Sequence, residues 1–166
     1  GDPAEEILKY IDENYIDLVM MATHGSSGIK AWDIGEVTNK VVHAVKVPIW
    51  LIPSELREDI IMDKLPQRNL LLPLSGSKEA EAVIPHAINI VHRRGPHAET
   101  VVLLHVIDTA NVPGGGLAPE KVEEERARMK EYLDNLAQRI KEAGFMTRTE
   151  VLTGDPGRVI IQFTTD

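Results

Sequence analysis

Two glycines frame a segment that is suited to holding a phosphate group. Gly25 and Gly35 bound a loop containing Gly and Ser, and this loop follows the apolar run 16–22. A helix with valines along one side is predicted from Gly35 to Lys46. Phosphates commonly bind where a Gly-rich loop follows a parallel strand and precedes a helix, because unpaired N–H groups at the helix start face the anion. The segment is therefore a candidate phosphate site.

Few other residues have the types and spacing of catalytic or metal-binding groups. The chain contains no cysteine, which excludes disulfides, thiolate metal sites and cysteine nucleophiles. His86 and His92 fall on different faces of one predicted helix, so we expect no metal site there. No Ser–His–Asp order and no paired carboxylates indicate a catalytic centre. We therefore expect no strong catalysis and no requirement for a metal.

Composition limits the classes of partner. The 166 residues fit one domain, and a hydrophobic share of 43% with only 4% aromatic residues predicts an aliphatic core. The formal net charge of −8 argues against nucleic acid as a partner, since phosphate backbones need clustered Lys and Arg. No apolar run approaches the roughly 18 residues that span a bilayer, so we expect no membrane segment. Absence of cysteine fits a cytoplasmic location.

Apolar periodicity predicts alternating strands and helices. The predicted strands cover residues 17–22, 48–52, 70–74, 100–107 and 147–152. The predicted helices cover residues 3–13, 35–46, 77–93, 119–143 and the stretch from 156 onwards. We expect Asp2 and Ser77 to cap helices, and Gly144 to end the long one. Such alternation is typical of a parallel, doubly wound sheet.

A short repeat indicates that the chain is cut out of phase. Gly-Asp-Pro at 1–3 recurs at 154–156, and each copy opens an apolar helix. The first copy is followed by a strand near Asp17, whereas the chain stops before an equivalent strand could follow the second. The chain also begins with Gly1 rather than Met. We therefore expect it to be a piece of a longer protein, with the helices at 3–13 and 156–163 as duplicates, one of them displaced, swapped or poorly ordered.

The second part of the chain resembles the opening half of a universal stress protein domain. The similar motifs are Leu-Leu-Leu-Pro-Leu-Ser-Gly-Ser at 70–77 and Val-Leu-Leu-His-Val-Ile-Asp at 102–108. Gly-Asp-Pro at 154–156 is similar to the third strand-to-helix junction of that family. The first part of the chain resembles the closing half, through Ala-Thr-His-Gly at 22–25 and Val-Pro-Ile-Trp-Leu-Ile at 47–52.

This resemblance implies an α/β fold with a five-stranded, parallel, doubly wound sheet. The fold is Rossmann-like, similar to the adenine-nucleotide alpha-hydrolases, with its strands in permuted order. The implied spatial order is 147–152, 100–107, 70–74, 17–22 and 48–52. Residues 1–52 would form a closing half, 53–68 a linker and 69–166 an opening half, as in a tandem repeat protein. The linker spans up to about 50 Å, so the halves can complete one sheet in one chain or pair between chains as a swapped dimer.

The same resemblance implies an adenine-nucleotide site formed by both halves. Its candidate residues are Met21, Ala22, His24, Gly25, Gly28, Gly35, Glu36, Val37, Thr38, Pro73, Leu74, Ser75 and Val106. Three of these depart from the family pattern. Ala22 stands where a glycine is usual, Ser75 where an Asp contacts the nucleoside, and Glu36 where a Ser or Thr hydroxyl donates to phosphate. A carboxylate about 5 Å from a phosphate costs about 1–3 kcal/mol for dielectric constants of 20–80.

The resulting prediction is weak binding of ATP or AMP in a stress-response module, with at most slow ATPase activity. The alternative is a module that has lost its ligand and works through dimerisation. A homodimer or a domain-swapped dimer is the expected assembly. Trp50 lies on the predicted edge strand. If its side chain is exposed, it indicates an interface with a partner, and if it is buried, it is part of the core.

Overall fold

A computed structural model describes residues 1–23, 34–53, 68–94, 99–111 and 116–165. The chain divides into two compact units, Gly1–Lys64 and Leu65–Asp166, here called the first and second units. Each is described separately. Among the described residues, no helix has the length and apolar character needed to cross a membrane.

The described residues of the first unit form two parallel strands and two helices. The helices are α1 (Pro3–Glu13) and α2 (Glu36–Ala44), and the strands are β1 (Val19–Ala22) and β2 (Ile49–Ile52). As predicted, Asp2 caps α1, with its carboxylate accepting from the Ala4 N–H at 2.9 Å. The two helices pack against each other, and Ala4, Ile11 and Val41 are buried.

In the second unit, the part of the chain that the structure describes forms a three-stranded parallel sheet with four helices. Its elements are β3 (Arg68–Pro73), α3 (Lys78–Glu81), α4 (Val83–Arg94), β4 (Glu99–Asp108), α5 (Pro119–Glu142), β5 (Met146–Gly154) and α6 (Pro156–Thr165). The strand order is β3-β4-β5. Helix α5 and helix α6 each pack against β4 and β5, and α4 packs against β3. Consecutive residues Val101–His105 are all buried, as expected for a central parallel strand covered on both faces.

The core of the second unit is aliphatic, as composition predicted. Its buried members are Leu72, Leu74, Ala87, Val91, Val101, Leu103, Leu133, Leu136, Ala137 and Ile140. Gly144 follows α5 with φ of 93°, the left-handed conformation that a glycine adopts at low cost after a helix. The predicted stop signal for α5 is therefore confirmed.

One predicted helix is divided. Ser77 caps the first piece, since its Oγ accepts from the Ala80 N–H at 3.1 Å, but α3 ends at Glu81 and α4 begins at Val83. Pro85 explains the break, because proline has no N–H to donate and its ring clashes with the carbonyl four residues earlier. The interruption places Pro85 in the first turn of α4, where no N–H is needed.

The α/β class and the parallel strands are confirmed, and all five predicted strands are present. They are divided between a two-stranded sheet (β1-β2) and a three-stranded sheet (β3-β4-β5), whereas we expected one continuous sheet. Within each sheet the order agrees with the predicted one. The resemblance would pair β1 with β3, and each of these strands lies at the edge of its own sheet. The two helices that we expected to be duplicates are α1, which contacts α2, and α6, which contacts β4 and β5.

Candidate functional site

The start of α2 is fixed beside the carboxyl end of β1. The Gly35 N–H donates to the Thr23 carbonyl at 2.9 Å, and the Thr23 N–H donates to the Ile52 carbonyl at 2.9 Å. The buried Thr38 hydroxyl donates to the Ala22 carbonyl at 3.2 Å. The carboxyl end of β1 and the N-terminus of α2 are thus held together by hydrogen bonds.

The N-terminus of α2 carries no side-chain cap among the described residues. Gly35 occupies the cap position with φ of −55°, which any residue can adopt. A Cβ built on Gly35 would lie 3.6 Å from the Thr23 carbonyl oxygen, an ordinary contact. The fold therefore does not require glycine here. Within the described ranges, no side chain accepts from the first N–H groups of α2, which are the groups that bind anions at helix starts.

A group of three charges surrounds this helix start. Lys40 Nζ lies 3.0 Å from Glu36 Oε1 and 2.9 Å from Asp2 Oδ2. The hydrogen bond from Lys40, followed by that from the Ala4 N–H, lowers the pKa of Asp2, and the two carboxylates raise the pKa of Lys40. Lys40 is shared between two acids, so it offsets the charge of Glu36 only in part.

The remaining predicted residues of the first unit divide into two groups. Met21 and Val37 are half-buried apolar residues of β1 and α2, and Ala22 is exposed at the end of β1. His24, Gly25 and Gly28 lie outside the described residues. The structure thus places Met21 and Ala22 at the end of β1 and residues 35–38 at the start of α2, linked by the hydrogen bond from Thr38 to Ala22.

In the second unit, the predicted base-flanking residues lie at the carboxyl ends of β3 and β4. Pro73 ends β3 and is exposed, whereas Leu74 is buried and its N–H donates to the Leu104 carbonyl at 2.8 Å. Ser75 is exposed, and its hydroxyl donates to Ser77 Oγ at 3.3 Å. Ser75 therefore helps to organise the start of α3, and Val106 is half-buried near the end of β4.

His105 is a buried polar residue that sequence reasoning missed. Its ring Nδ1 lies 2.7 Å from the Leu74 carbonyl oxygen, and its exposed fraction is only 9%. A carbonyl oxygen can only accept, so Nδ1 carries the hydrogen. The available signal was a single histidine within an otherwise aliphatic strand.

A cavity of about 560 Å³ opens beside His105 and Val106. The carboxyl end of β4 and one side of α5 form its walls. Its lining residues are His105, Val106, Ile107, Asp108, Leu117, Lys121, Glu124, Glu125 and Arg128. No cluster of three His, Asp or Glu residues suited to a metal ion occurs in the part of the chain that the structure describes.

Fold and site together define an α/β protein of the Rossmann-like class, with candidate ligand-binding residues at the carboxyl ends of parallel strands. The universal stress protein family model matches residues 1–53 and 67–166. The chain belongs to the universal stress protein family.

Individual relatives match with different coverage. A universal stress protein of Methanothermobacter thermautotrophicus is 40% identical over 52 residues, which are 31% of this chain and 35% of that protein. The crystal structure of a universal stress protein from Archaeoglobus fulgidus aligns with 99% of this chain and 52% of that chain, at 24% identity and a TM-score of 0.65. Universal stress protein UspA from Lactobacillus plantarum aligns with 59% of this chain and 68% of that chain, at 24% identity and a TM-score of 0.49. The chain thus spans about a third of the first relative and about half of the second.

Proposed function

We propose that the chain is an adenine-nucleotide-binding module of a stress-response protein, which binds ATP or AMP weakly and catalyses at most slow hydrolysis of ATP. The observation that carries the proposal is the N-terminus of α2 beside the end of β1, which no side chain of the described residues caps. Membership of the universal stress protein family supports the same assignment. A cytoplasmic location and origin in a tandem protein remain predictions that accompany it.

Geometry favours a phosphate at this helix start, and charge opposes it. Helix N-termini attract anions through their unpaired N–H groups and the helix dipole. Glu36 puts a carboxylate in the first turn of α2, and its partner Lys40 is shared with Asp2. Because one lysine serves two acids, the local field stays negative. We therefore expect dissociation constants that are high for a nucleotide site.

Substitution of Gly35 tests the proposal. Gly35→Asp adds a good helix cap, which occupies the free N–H groups and repels phosphate, so the helix should persist while ATP and AMP affinity falls at least tenfold. Gly35→Ala is the matched control, because it adds a methyl group without charge or cap. Equilibrium binding with labelled ATP and AMP up to millimolar concentration measures both variants. Absence of saturation by the unsubstituted chain would refute nucleotide binding.

A second candidate function is a ligand-free dimerisation module, and one feature of β1 and β2 favours it. Met20 pairs with Trp50 and Ala22 with Ile52, so all four lie on one face of the two-stranded sheet. That face is exposed, with Trp50 at 41% and Met20 at 55%. The sequence left open whether Trp50 is buried, and its exposure supports an interface.

The nucleotide titration above separates the two functions, and mass measured by light scattering tests dimerisation through this face. If this face joins two copies, Trp50→Lys should yield monomers at concentrations where the unsubstituted chain is dimeric. Tyr10→Lys, at an exposed aromatic residue of α1, is the matched control. If the unsubstituted chain is monomeric, the hypothesis of a dimerisation module is refuted.

A further inference from the structure

The cavity beside β4 has the size and place of a small-molecule site. Its volume of about 560 Å³ lies within the range of about 300–1,000 Å³ that is usual for ligand pockets. It opens at the carboxyl end of a parallel strand, where ligands of open α/β sheets bind. Val106, a predicted base-flanking residue, is among its lining residues.

Two of the acids that line the cavity are already satisfied. Asp108 accepts hydrogen bonds from the Ala110 and Asn111 N–H groups at 3.0 and 2.9 Å, and from the Asn111 amide. These bonds, first of all the one from the Asn111 side chain, lower the pKa of Asp108. Glu125 is held by Arg128 through bonds of 2.6 and 2.9 Å, which lowers the pKa of Glu125.

The charge of the lining indicates which part of a nucleotide it accepts. Asp108, Glu124 and Glu125 outnumber the cations Lys121 and Arg128, and Arg128 is committed to Glu125. Such a wall disfavours an anionic phosphate and suits an uncharged base or ribose. The base would therefore enter the cavity and the phosphates would remain outside.

His105 lines the cavity, and one of its two ring nitrogens has a known partner. Nδ1 donates to the Leu74 carbonyl, so in the neutral ring Nε2 is an acceptor. Nε2 makes no hydrogen bond to any residue within the described ranges. Both oxygens of the neighbouring Glu125 are engaged by Arg128. His105 as a whole is 9% exposed and lines the cavity, so a donor on the ligand would satisfy this acceptor.

We infer that His105 makes the cavity selective for adenine, which carries an amino group, over hypoxanthine, which carries a carbonyl oxygen at the same position. This rests on the proposed nucleotide binding. The adenine amino group donates to Nε2, whereas the hypoxanthine oxygen would place two acceptors against each other. The loss of one hydrogen bond and the unsatisfied acceptor together correspond to about a tenfold preference for AMP over IMP.

Two amide variants of the full chain distinguish the role of the Nδ1 donor from that of the Nε2 acceptor. His105→Asn can keep a donor near the position of Nδ1, so the bond to Leu74 and the fold persist while the acceptor is lost. His105→Gln can keep an acceptor near the position of Nε2. Equilibrium dissociation constants for AMP and IMP are measured for the unsubstituted chain and both variants, with circular dichroism as the folding check. The preference for AMP should fall to about twofold or less in His105→Asn and persist in His105→Gln.

A nitrogen-15 spectrum of the imidazoles gives a readout that does not depend on affinity. The His105 signals are identified by their absence in His105→Asn, and addition of AMP should shift the Nε2 resonance, with a smaller shift for IMP. Equal affinity of the unsubstituted chain for AMP and IMP, or an unmoved Nε2 resonance at saturation, overturns the role of His105 and leaves nucleotide binding intact. Failure of both AMP and ATP to saturate at millimolar concentration overturns nucleotide binding itself, and the role of His105 with it.

Discussion

Removing the charge of Glu36 should strengthen nucleotide binding. Glu36 lies in the first turn of α2, and its carboxylate is 82% exposed. For a phosphate about 5 Å away, a water-like dielectric gives a repulsion of about 1 kcal/mol, which corresponds to about fivefold in affinity. The high exposure selects this lower figure over the roughly 3 kcal/mol that a dielectric constant of 20 would give.

Lys40 does not cancel this repulsion. Its ammonium group lies 3.0 Å from Glu36 and 2.9 Å from Asp2, so its attraction for a phosphate is nearly matched by the repulsion from Asp2. Glu36→Gln should therefore lower the dissociation constant for ATP about fivefold at low salt. Glu36→Ser should lower it at least as much, because its hydroxyl can also donate to a phosphate oxygen. Lys40→Met should raise the constant about threefold for a separation of about 7 Å.

Isothermal titration with ATP, at low salt and at 1 M salt, measures these effects. Salt should reduce the gain, since the Debye length falls from about 10 Å at 0.1 M to about 3 Å at 1 M. Glu13→Gln, with the same charge change at the end of α1, is the control for net charge. The reasoning fails if Glu36→Gln leaves the affinity of a measurable site unchanged at low salt, or if Glu13→Gln gives an equal gain.

Two further predictions concern the second unit. Leu133 is fully buried, so Leu133→Ala should reduce the free energy of unfolding by about 3 kcal/mol in urea titrations. The control Leu133→Met should reduce it by less than about 1.5 kcal/mol. Equal losses in the two variants would contradict tight packing beneath α5. Burial, followed by the hydrogen bond from its hydroxyl to Glu81, raises the pKa of Tyr132 to about 12. The protonated form of Tyr132 therefore stabilises the folded state fully below the pKa of about 10 that tyrosine has in the unfolded chain, and this stabilisation is lost as the pH rises towards 12. Tyr132→Phe should therefore flatten the fall in the free energy of unfolding at alkaline pH. An identical pH profile for the variant would contradict this.

Local patterns predicted the secondary structure well. The apolar runs placed all five strands, with ends that differ by up to two residues from β1–β5. Caps and stops at Asp2, Ser77 and Gly144 were readable because their chemistry depends on residues nearby in the sequence. The division between α3 and α4 was also readable in principle, from Pro85.

Contacts distant in sequence limited the prediction of the site. The Glu36–Lys40 pair follows helical spacing and could be found from sequence, whereas the hold of Asp2 on Lys40 depends on how α1 packs against α2. The link between His105 and the Leu74 carbonyl joins two strands. A histidine in an aliphatic strand therefore gave no sign of a fixed tautomer.

The central position of β4 has a consequence for hydrogen exchange. Its backbone is bonded to β3 on one side and β5 on the other, and residues Val101–His105 are buried throughout. These amides can reach deuterated solvent only when the second unit opens as a whole, so their protection factors report its global free energy. The amides of β1 and β2, in a sheet of only two strands, report on the first unit. One exchange experiment on the intact chain would thus yield two stabilities.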